Sequence, residues 1–245
     1  MKIRLEREDM LDLQIAMKKE YLLTNGKGGY CSSTIFDCHS RKYHGLLFLP
    51  VKEQHGSVFS FLSKLEPTIV VDDKEFRLST NKYPGVYEPT GHKYIDHFEI
   101  ENYPVTTYKI GDIVLEKSIL MPHGEDTVLV KYVVKTSAKP FIFRVLPLFA
   151  YRELHSLSKE NMDVKPRAYF EPNGFKFDPY KGLPPVYLQT SVNSVFYPSP
   201  HWYFNFEYHK EKNRGYDYLE DLFSPGTFEL KLKEGSSVIF RASLT

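Results

Sequence analysis

The run Val105-Thr106-Thr107-Tyr108-Lys109-Ile110 leads through Gly111-Asp112 into Ile113-Val114-Leu115-Glu116-Lys117-Ser118-Ile119-Leu120, and it carries the clearest indication of the fold. β-branched and aromatic residues dominate both arms, which favours extended strands. Glycine in the first position of a two-residue loop suits a type II′ turn, the geometry that joins neighbouring antiparallel strands. The sequence therefore predicts a β-hairpin here.

Three other segments repeat this pattern of a strand, a short turn and a second strand. They are Ile69–Leu78 around Asp72-Asp73-Lys74, Tyr169–Phe177 around Pro172-Asn173-Gly174, and Phe228–Phe240 around Glu234-Gly235. Further strands are predicted at Leu46–Leu49, Thr127–Val134 and Phe141–Leu146. Because strands do not alternate with long helices, the sequence predicts an all-β fold, a large antiparallel β-sandwich. Short helices are predicted only at Glu8–Ile15 and near Asp217–Leu222.

The composition is that of an ordinary globular protein. Of the 245 residues, 42% are hydrophobic and 26% are charged, and the aromatic share reaches 15%. The formal charge of +1 supplies no attraction for nucleic acid or an anionic membrane, and the charged N-terminus has no signal-peptide core. Apolar runs stay well short of the about 18 residues that a membrane helix needs. We therefore expect one soluble, cytoplasmic domain spanning residues 1–245, with no nucleic-acid or membrane partner.

Neither a disulfide framework nor a metal site is expected. Cys31 and Cys38 are the only cysteines, and the histidines are scattered without the spacing of metal ligands. We therefore expect no metal and no cofactor.

The densest unusual segment runs from Asn25 to Tyr30 and contains Gly26, Gly28 and Gly29. Such glycines permit positive φ and the close approach of another backbone or a ligand. The spacing of a phosphate-binding loop is absent. Two interpretations stay open: a tight turn that feeds a strand, or a turn that forms one lip of a binding surface.

Basic and imidazole side chains stand together at two places. Arg41, Tyr43 and His44 precede the predicted strand at 46–49. If that strand extends back through them, Arg41 and Tyr43 share one of its faces and His44 lies on the other. Arg152 and His155 follow another predicted strand. For both histidines, a structural role and a role as an acid or base stay open.

Trp202 is the only tryptophan, and its aromatic-rich segment precedes a polar run from Glu211 to Asp221. Aromatic faces beside carboxylates, amides and guanidinium groups suit a sugar, whose C–H faces stack on rings while its hydroxyls form hydrogen bonds. The alternative is that Trp202, Phe204 and Phe206 alternate into the core of the sandwich.

Glycoside hydrolysis by this chain alone would need two carboxyl groups flanking a cleft, about 5–5.5 Å or 6.5–9.5 Å apart. If residues 216–222 were helical, Asp217 would lie one turn from Glu220 and Asp221. Carboxylates in a first helical turn are also favoured simply by the helix dipole. We therefore assign no catalytic pair and expect the chain alone to be inactive.

Two runs, Glu20–Tyr30 and Ser40–Leu47, together with several later segments, resemble the N-terminal region of bacterial and archaeal-type glycogen debranching enzymes. The later segments are Leu62–Glu66, Tyr83–Gly85, Met121–Gly124, Pro147–His155, Trp202-Tyr203, Glu211 with Arg214-Gly215, Glu220–Leu222 and Pro225-Gly226. They follow in order over most of the chain. Two positions depart from the pattern of the family, since Lys27 stands where an apolar residue is common and Ser40 where threonine is common.

The resemblance implies that this region is the N-terminal, supersandwich-like domain of such an enzyme. Amylo-α-1,6-glucosidase activity, which hydrolyses the α-1,6 branch points of glycogen, would then reside in a following barrel of paired α-helices that these residues do not contain. The chain stops at Arg241–Thr245 directly after a predicted strand, which we interpret as the sign of a longer protein.

Our leading hypothesis is a non-catalytic domain that packs on the catalytic barrel and shapes the cleft for branched α-glucan. The residues expected on the glucan side or at the domain interface are Asn25, Gly26, Gly28, Gly29, Tyr30, Arg41, Tyr43, His44, Arg152, His155 and Trp202. Tyr43 and Trp202 are candidates for stacking on glucose rings, and Arg41 and Arg152 for hydrogen bonds to hydroxyls or to a carboxylate of the barrel.

Three other hypotheses stay open. The first is a free-standing carbohydrate-binding module. The second is a mutarotase-like sugar epimerase that uses His44 or His155 as general acid and a carboxylate as base. The third is a purely structural domain that presents a large apolar patch to its partner.

Overall fold

The secondary structure consists mainly of antiparallel strands in the computed structural model of this protein, which describes residues 2–244. The strands are β1 (Ile3–Glu6), β2 (Glu20–Thr24), β3 (Tyr30–Thr34), β4 (Gly45–Pro50), β5 (Val58–Val71), β6 (Lys74–Arg77), β7 (Thr80–Tyr83), β8 (Val86–Thr90), β9 (Ile95–Ile100), β10 (Pro104–Ile110), β11 (Ile113–Leu120), β12 (Thr127–Thr136), β13 (Phe141–Glu153), β14 (Ala168–Glu171), β15 (Gly174–Phe177), β16 (Val186–Thr190), β17 (Val195–Glu207), β18 (Leu219–Leu232) and β19 (Ser237–Ser243). The helices are α1 (Glu8–Leu11), α2 (Leu13–Ala16) and α3 (His209–Asn213), with 3-10 turns at Lys52–Gln54 and Gly91–Tyr94. Met1 and Thr245 lie outside the described residues. The expectation of a longer protein was based on the last residues of the chain, so it falls partly outside them.

These strands assemble into two large sheets and one small one. Sheet A has the order β1-β9-β10-β11-β12-β19-β16-β15-β14, and sheet B has the order β17-β18-β13-β5-β4-β3-β2 with β6 paired to β5. The small sheet is the hairpin of β7 and β8. The predicted all-β antiparallel sandwich is therefore confirmed. No helix among the described residues has the length and apolar character needed to cross a membrane.

Aromatic rings fill the space between sheets A and B. Tyr132 of β12 meets Phe143 of β13 with ring centroids 4.9 Å apart. Phe228 of β18 meets Phe240 of β19 at 5.5 Å. All four rings are buried, and each pair joins one strand of each sheet. Since burial of one such ring contributes about 1.5–3 kcal/mol, these contacts explain why so aromatic a sequence forms two facing layers.

The predicted hairpin of β10 and β11 is confirmed. Ile110 pairs with Ile113 across Gly111-Asp112, and Gly111 adopts a positive φ of 59°. Ile113, Leu115 and Ile119 alternate into the core, as a strand with one buried face requires. The hairpins of β5 with β6 and of β14 with β15 are confirmed in the same way, with positive φ at the turn residues.

The predicted hairpin of Phe228–Phe240 is wrong in its pairing. Both strands form, but β18 pairs with β13 and β17 in sheet B, whereas β19 pairs with β12 and β16 in sheet A. The turn between them docks on β12 instead, because Gly235 N–H donates to the Val134 carbonyl and Val134 N–H donates to the Ser236 carbonyl. The chain thus crosses from one sheet to the other at this turn.

The helix predictions are only partly correct. Glu8–Ile15 contains two short helices because Asp12 leaves the helical conformation and caps the second with its side chain. The helix predicted near Asp217–Leu222 is wrong. Leu219 begins the long strand β18, and the helical turn of this region is α3, earlier in the chain.

The predicted alternation of Trp202, Phe204 and Phe206 into the core of the sandwich holds only for Trp202, because Phe206 lies in a separate small cluster. Trp202 and Phe206 are buried, whereas Phe204 is 43% exposed. The pairing of β17 with β18 shifts register between Tyr203 and Phe206, and Asn205 adopts a positive φ of 61°. This bulge changes the side-chain alternation along the strand and leaves Phe204 outside.

We expect Phe206→Ala to lower the free energy of unfolding by about 3–5 kcal/mol because it empties a buried site. Phe204→Ala, two positions earlier, is expected to cost clearly less, about 1 kcal/mol or below, because that ring is 43% exposed. Urea unfolding of the two variants beside the parent chain measures both. Equal losses would contradict the bulge at Asn205.

Candidate functional site

An open groove runs along β2, the strand at the edge of sheet B, with a volume of about 600 Å³. We call it the edge groove. Its lining residues are Glu20, Leu22, Thr24, Gly26, Gly28, Gly29, Tyr30, Ser32, Arg41, Tyr43 and His44. It therefore collects most of the residues that the sequence singled out in two separate segments.

The turn between β2 and β3 forms one lip of the edge groove and is organised by Asn25. This side chain is fully buried, and its Oδ1 accepts hydrogen bonds from the N–H groups of Lys27 and Gly29, each at 2.9 Å. Its Nδ2 donates to the Glu125 carbonyl at 2.9 Å. Asn25 thus shapes the turn and ties it to the loop that precedes β12. The tight turn of the first sequence interpretation is therefore present, and the second interpretation, one lip of a binding surface, stays a prediction.

Two glycines of this turn are required by close packing. A Cβ on Gly26 would come within 2.2 Å of the His123 ring, and the φ of Gly26 is 75°. A Cβ on Gly29 would come within 2.5 Å of Leu49. The glycines therefore let the turn pack closely against the His123 and Leu49 side chains.

The opposite wall comes from residues 40–44, which form a loop and not an extension of β4. The prediction that Arg41 and Tyr43 share one strand face is therefore wrong, since β4 begins only at Gly45 and His44 N–H donates back to the Arg41 carbonyl. Lys42 Nζ in this loop donates to the His155 carbonyl at 2.6 Å.

Aromatic rings stand at the centre of the groove. Tyr30 stacks on Phe48 with ring centroids 4.5 Å apart, and its hydroxyl donates to the Tyr43 carbonyl. The Tyr43 hydroxyl lies 3.2 Å from Nδ1 of His155, which places the predicted His155 beside the groove. Tyr30 and Tyr43 are each partly exposed. Their rings offer an apolar surface, and the contacts with Phe48 and His155 fix its orientation.

Glu20 is the polar centre at one end of the groove. It accepts hydrogen bonds from Arg41 Nε at 3.1 Å and from Lys210 Nζ at 2.6 Å. His44 Nε2 lies 3.6 Å away. Burial acts to raise the pKa of Glu20, but the nearby His44 ring and the hydrogen bonds from Lys210 and Arg41 outweigh it and hold the pKa well below its usual range. Glu20 is therefore an ionised carboxylate that its hydrogen-bond donors hold in place.

His44 is 2% exposed, and Ser40 N–H donates to its Nδ1 at 3.2 Å. Burial lowers its pKa, although Glu20 acts in the opposite sense. The neutral ring therefore serves to shape the loop that carries Arg41 and Tyr43.

Arg152 supports the groove from beneath. It is 6% exposed and forms a buried ion pair with Glu220, which is fully buried. The same guanidinium donates to the Lys42 and Leu154 carbonyls, and Glu220 also accepts from Ser158 N–H and from the Tyr208 hydroxyl. These contacts hold Arg152 under the loop of residues 40–44 and not on the surface of the groove.

Trp202 lies apart from the edge groove. It is 8% exposed, and its ring packs on Phe223 with centroids 5.2 Å apart. Of the two possibilities that the sequence left open, the structure places this indole in the core.

The carboxylates near the start of β18 do not face one another. Glu220 points toward Arg152, whereas Asp221 accepts from the N–H groups of Asn205 and Glu160. Neighbours on a strand point to opposite faces, so the spacing expected for a helix does not apply. Within residues 2–244, no group of three or more His, Cys, Asp or Glu side chains is placed to hold a metal ion.

Sequence reasoning missed Glu20, Lys210 and Glu220 as parts of this arrangement. They stand far apart in the chain, and neither spacing nor periodicity connects Glu20 with Lys210. Only Glu20 and Glu220 fell within segments that carried the family resemblance, and that resemblance assigned them no role.

The edge groove thus combines an apolar aromatic surface with hydrogen-bonding groups of both kinds. A model of the family described as glycogen debranching enzyme N terminal matches residues 19–239. The chain belongs to this family. The match covers every residue of the edge groove, and it confirms the resemblance on which the sequence interpretation rests. A search of curated proteins finds no match to this chain.

In this member of the glycogen debranching enzyme N-terminal family, we expect Glu220→Gln to lower the free energy of unfolding by about 3–5 kcal/mol because it leaves Arg152 charged and unpaired in the interior. The matched control is Glu229→Gln on the same strand. Its partner Arg144 is partly exposed, so the loss should stay below about 1 kcal/mol. Urea unfolding at pH 7 compares the two. Equal small losses would contradict a buried ion pair.

The free energy of unfolding should fall as pH is lowered from about 7 toward 5. Burial, with the nearby charge of Lys64, lowers the pKa of His39 well below its usual value, and burial lowers that of His44. An unfolded histidine titrates near pH 6.5, so below about that pH the unfolded chain binds protons that the folded chain does not. Stability present above this window is therefore lost within it.

Urea unfolding between pH 7.5 and 5.0 measures this slope. His39→Gln should reduce the slope because it removes one buried imidazole. The control Phe204→Ala changes no titratable group and should leave the slope as it is. An unchanged slope in His39→Gln would refute the explanation.

Proposed function

We propose that this chain is the non-catalytic β-sandwich domain of a glycogen debranching enzyme. In this proposal, residues 1–245 form a single domain that packs on a separate helical domain, where α-1,6-glucosidic branch points of glycogen are hydrolysed. The edge groove forms part of the surface that binds branched α-glucan. The observation that carries the proposal is the groove itself, which lies within the part of the chain matched by the family and gathers Tyr30, Arg41 and Tyr43 on one surface.

The chemistry of the edge groove suits a neutral sugar. The rings of Tyr30 and Tyr43 supply apolar faces for the C–H surface of glucose. Glu20 accepts hydrogen bonds and Arg41 donates them, and the two are paired with each other at 3.1 Å. Arg41 and Lys210 are both engaged by Glu20, so the groove offers paired donors and acceptors that suit hydroxyl groups.

The family resemblance and the placement of the carboxylates both support a non-catalytic role. Glu220 is occupied by Arg152, and Glu20 by Arg41 and Lys210. Both carboxylates are held in ion pairs, whereas glycoside hydrolysis requires two carboxyl groups that flank the bond. We therefore propose that the chain alone releases no glucose from branched glucan.

The mutarotase-like alternative has less support. Its proposed acid, His44, is buried, and its Nε2 has no contact with solvent. His155 is exposed, but its Nδ1 lies against the Tyr43 hydroxyl. A free-standing carbohydrate-binding module remains the main alternative, and the experiment below separates it from the proposal.

We further propose that the chain functions in the cytoplasm. Cys31 and Cys38 are buried free thiols, and burial raises the pKa of Cys38 to about 12. Unpaired, unreactive cysteines suit a reducing compartment.

In a debranching enzyme that carries this chain together with its helical domain, Tyr43→Ala should raise KM for a branched limit dextrin at least fivefold and leave kcat within twofold. The reason is that the ring contacts the glucan away from the bond that is cleaved. Glucose release measured over a range of dextrin concentrations gives both constants. Tyr43→Phe should retain KM because it keeps the ring.

The matched control is Tyr197→Ala on β17, because Tyr197 is exposed and does not line the edge groove. The isolated chain is assayed in parallel. Unchanged KM in Tyr43→Ala would refute the role of the groove. Tight glycogen binding by the isolated chain, with no effect on debranching when it is supplied to the helical domain, would favour the free-standing module.

A further inference from the structure

A second pocket lies on the outer face of sheet B, beneath the hairpin of β7 and β8. Its volume is about 310 Å³, at the lower end of the range for ligand sites, which is about 300–1,000 Å³. We call it the hairpin pocket. The residues that matter for its chemistry are Glu66, Arg77, Asn81, Tyr83, Tyr203 and Phe206. None of them lines the edge groove.

The hairpin pocket is built from segments that are far apart in the chain. Tyr83 on the hairpin packs against Phe206 of β17 with ring centroids 5.1 Å apart. Tyr203 and Phe206 belong to a small apolar cluster with Leu148 and Leu222, separate from the core between the sheets. This cluster holds the hairpin on the sheet, so the pocket has a fixed wall of three aromatic rings.

A fixed acceptor stands beside these rings. Glu66 accepts a hydrogen bond from Asn81 Nδ2 at 3.0 Å and forms an ion pair with Lys64 Nζ at 3.0 Å. Lys64 and Asn81 are both buried and are hydrogen-bonded to each other. Glu66 Oε1 is buried against Lys64 Nζ, so Oε2 beside Asn81 is the oxygen left to accept a further hydrogen bond. Lys64 and Asn81 therefore hold the Glu66 carboxylate in one orientation, and it retains the capacity to accept a hydrogen bond from a ligand.

The charges of the hairpin pocket are balanced. Lys64 compensates Glu66 from below, and Arg77 pairs with Glu88 at the rim. The rim pair is half exposed, and such pairs contribute little to stability, so either partner can turn to a ligand. A phosphate or a cation would find no excess of opposite charge here. Hydroxyl groups, which both donate and accept, match carboxylate, amide and guanidinium groups beside aromatic faces.

We propose that the hairpin pocket is a second binding site for a neutral sugar, which stacks on Tyr203 and Tyr83 and forms hydrogen bonds with Glu66 and Arg77. The choice of an α-1,4-linked glucan chain as the ligand rests on the proposed function. The site itself requires only a neutral polyhydroxylated ring. Because it lies outside the edge groove, it would hold a part of the glucan remote from the groove.

The test is an NMR titration of the ¹⁵N-labelled chain with maltotriose and, separately, with cellotriose. Maltotriose should shift the backbone amides of residues 79–90 and 201–206 in a saturable manner. Tyr203→Ala and Arg77→Ala should each weaken this binding at least tenfold, and Tyr203→Phe should retain it. Arg77 is exposed, so the second variant tests the pocket even if the first perturbs folding.

Two controls separate this inference from the role of the edge groove. Tyr197→Ala changes an exposed ring on the same strand outside the pocket and should leave the titration unchanged. Tyr43→Ala should abolish shifts in the edge groove but retain those of the hairpin pocket. Loss of the proposed groove function with intact shifts at the pocket would therefore leave this inference standing. Absence of saturable shifts at the pocket with both sugars would overturn it, and shifts from cellotriose alone would overturn the assignment of an α-glucan.

Discussion

The buried ion pair of Arg152 and Glu220 is the interaction on which the arrangement of the edge groove depends. Removing two charges from water is costly, and the pair is tolerated only because both partners are saturated with hydrogen bonds. Glu220 receives Ser158 N–H and the Tyr208 hydroxyl, while Arg152 donates to the Lys42 carbonyl. One interaction therefore connects the central strands of sheet B to the loop that carries Tyr43. Because the sheet is rigid, this connection holds the Tyr43 side chain at a defined position on the surface.

A second polar contact anchors the same region from the other sheet. Lys117 lies on the core face of β11, 3% exposed, and pairs with Asp37, which also accepts from the Tyr21 hydroxyl. Asp37 belongs to the connection from β3 to β4, just before the loop of residues 40–44. The apolar core holds the two sheets together without specifying a direction for any loop, since hydrophobic contact is not directional. The two buried ion pairs, Arg152 with Glu220 and Lys117 with Asp37, supply that direction. Both contact the connection between β3 and β4, which forms one wall of the edge groove.

Local features were predictable from local sequence. The turns at Gly111-Asp112 and Asp72-Asp73 follow from residues that accept positive φ, and the energy that selects them arises within a few residues. The glycines of the segment from Asn25 to Tyr30 were recognisable for the same reason. The family resemblance added what spacing could not, because it joined segments with no physical relation in the sequence. Roles of individual residues did not follow from it, as the interior position of Trp202 illustrates.

The sequence by itself determined the all-β antiparallel class and the hairpins at Gly111-Asp112, Asp72-Asp73 and Asn173-Gly174, because alternation and turn chemistry act over short distances. Its resemblance to the family determined the membership. Only the tertiary structure decided that β18 and β19 lie in different sheets and that Phe204 faces solvent. It also decided that Glu20 meets Lys210 and that Glu220 meets Arg152. These outcomes depend on contacts between residues that are distant in the chain. The free energy of such contacts comes from burial and charge pairing in the assembled molecule, and no local pattern records it.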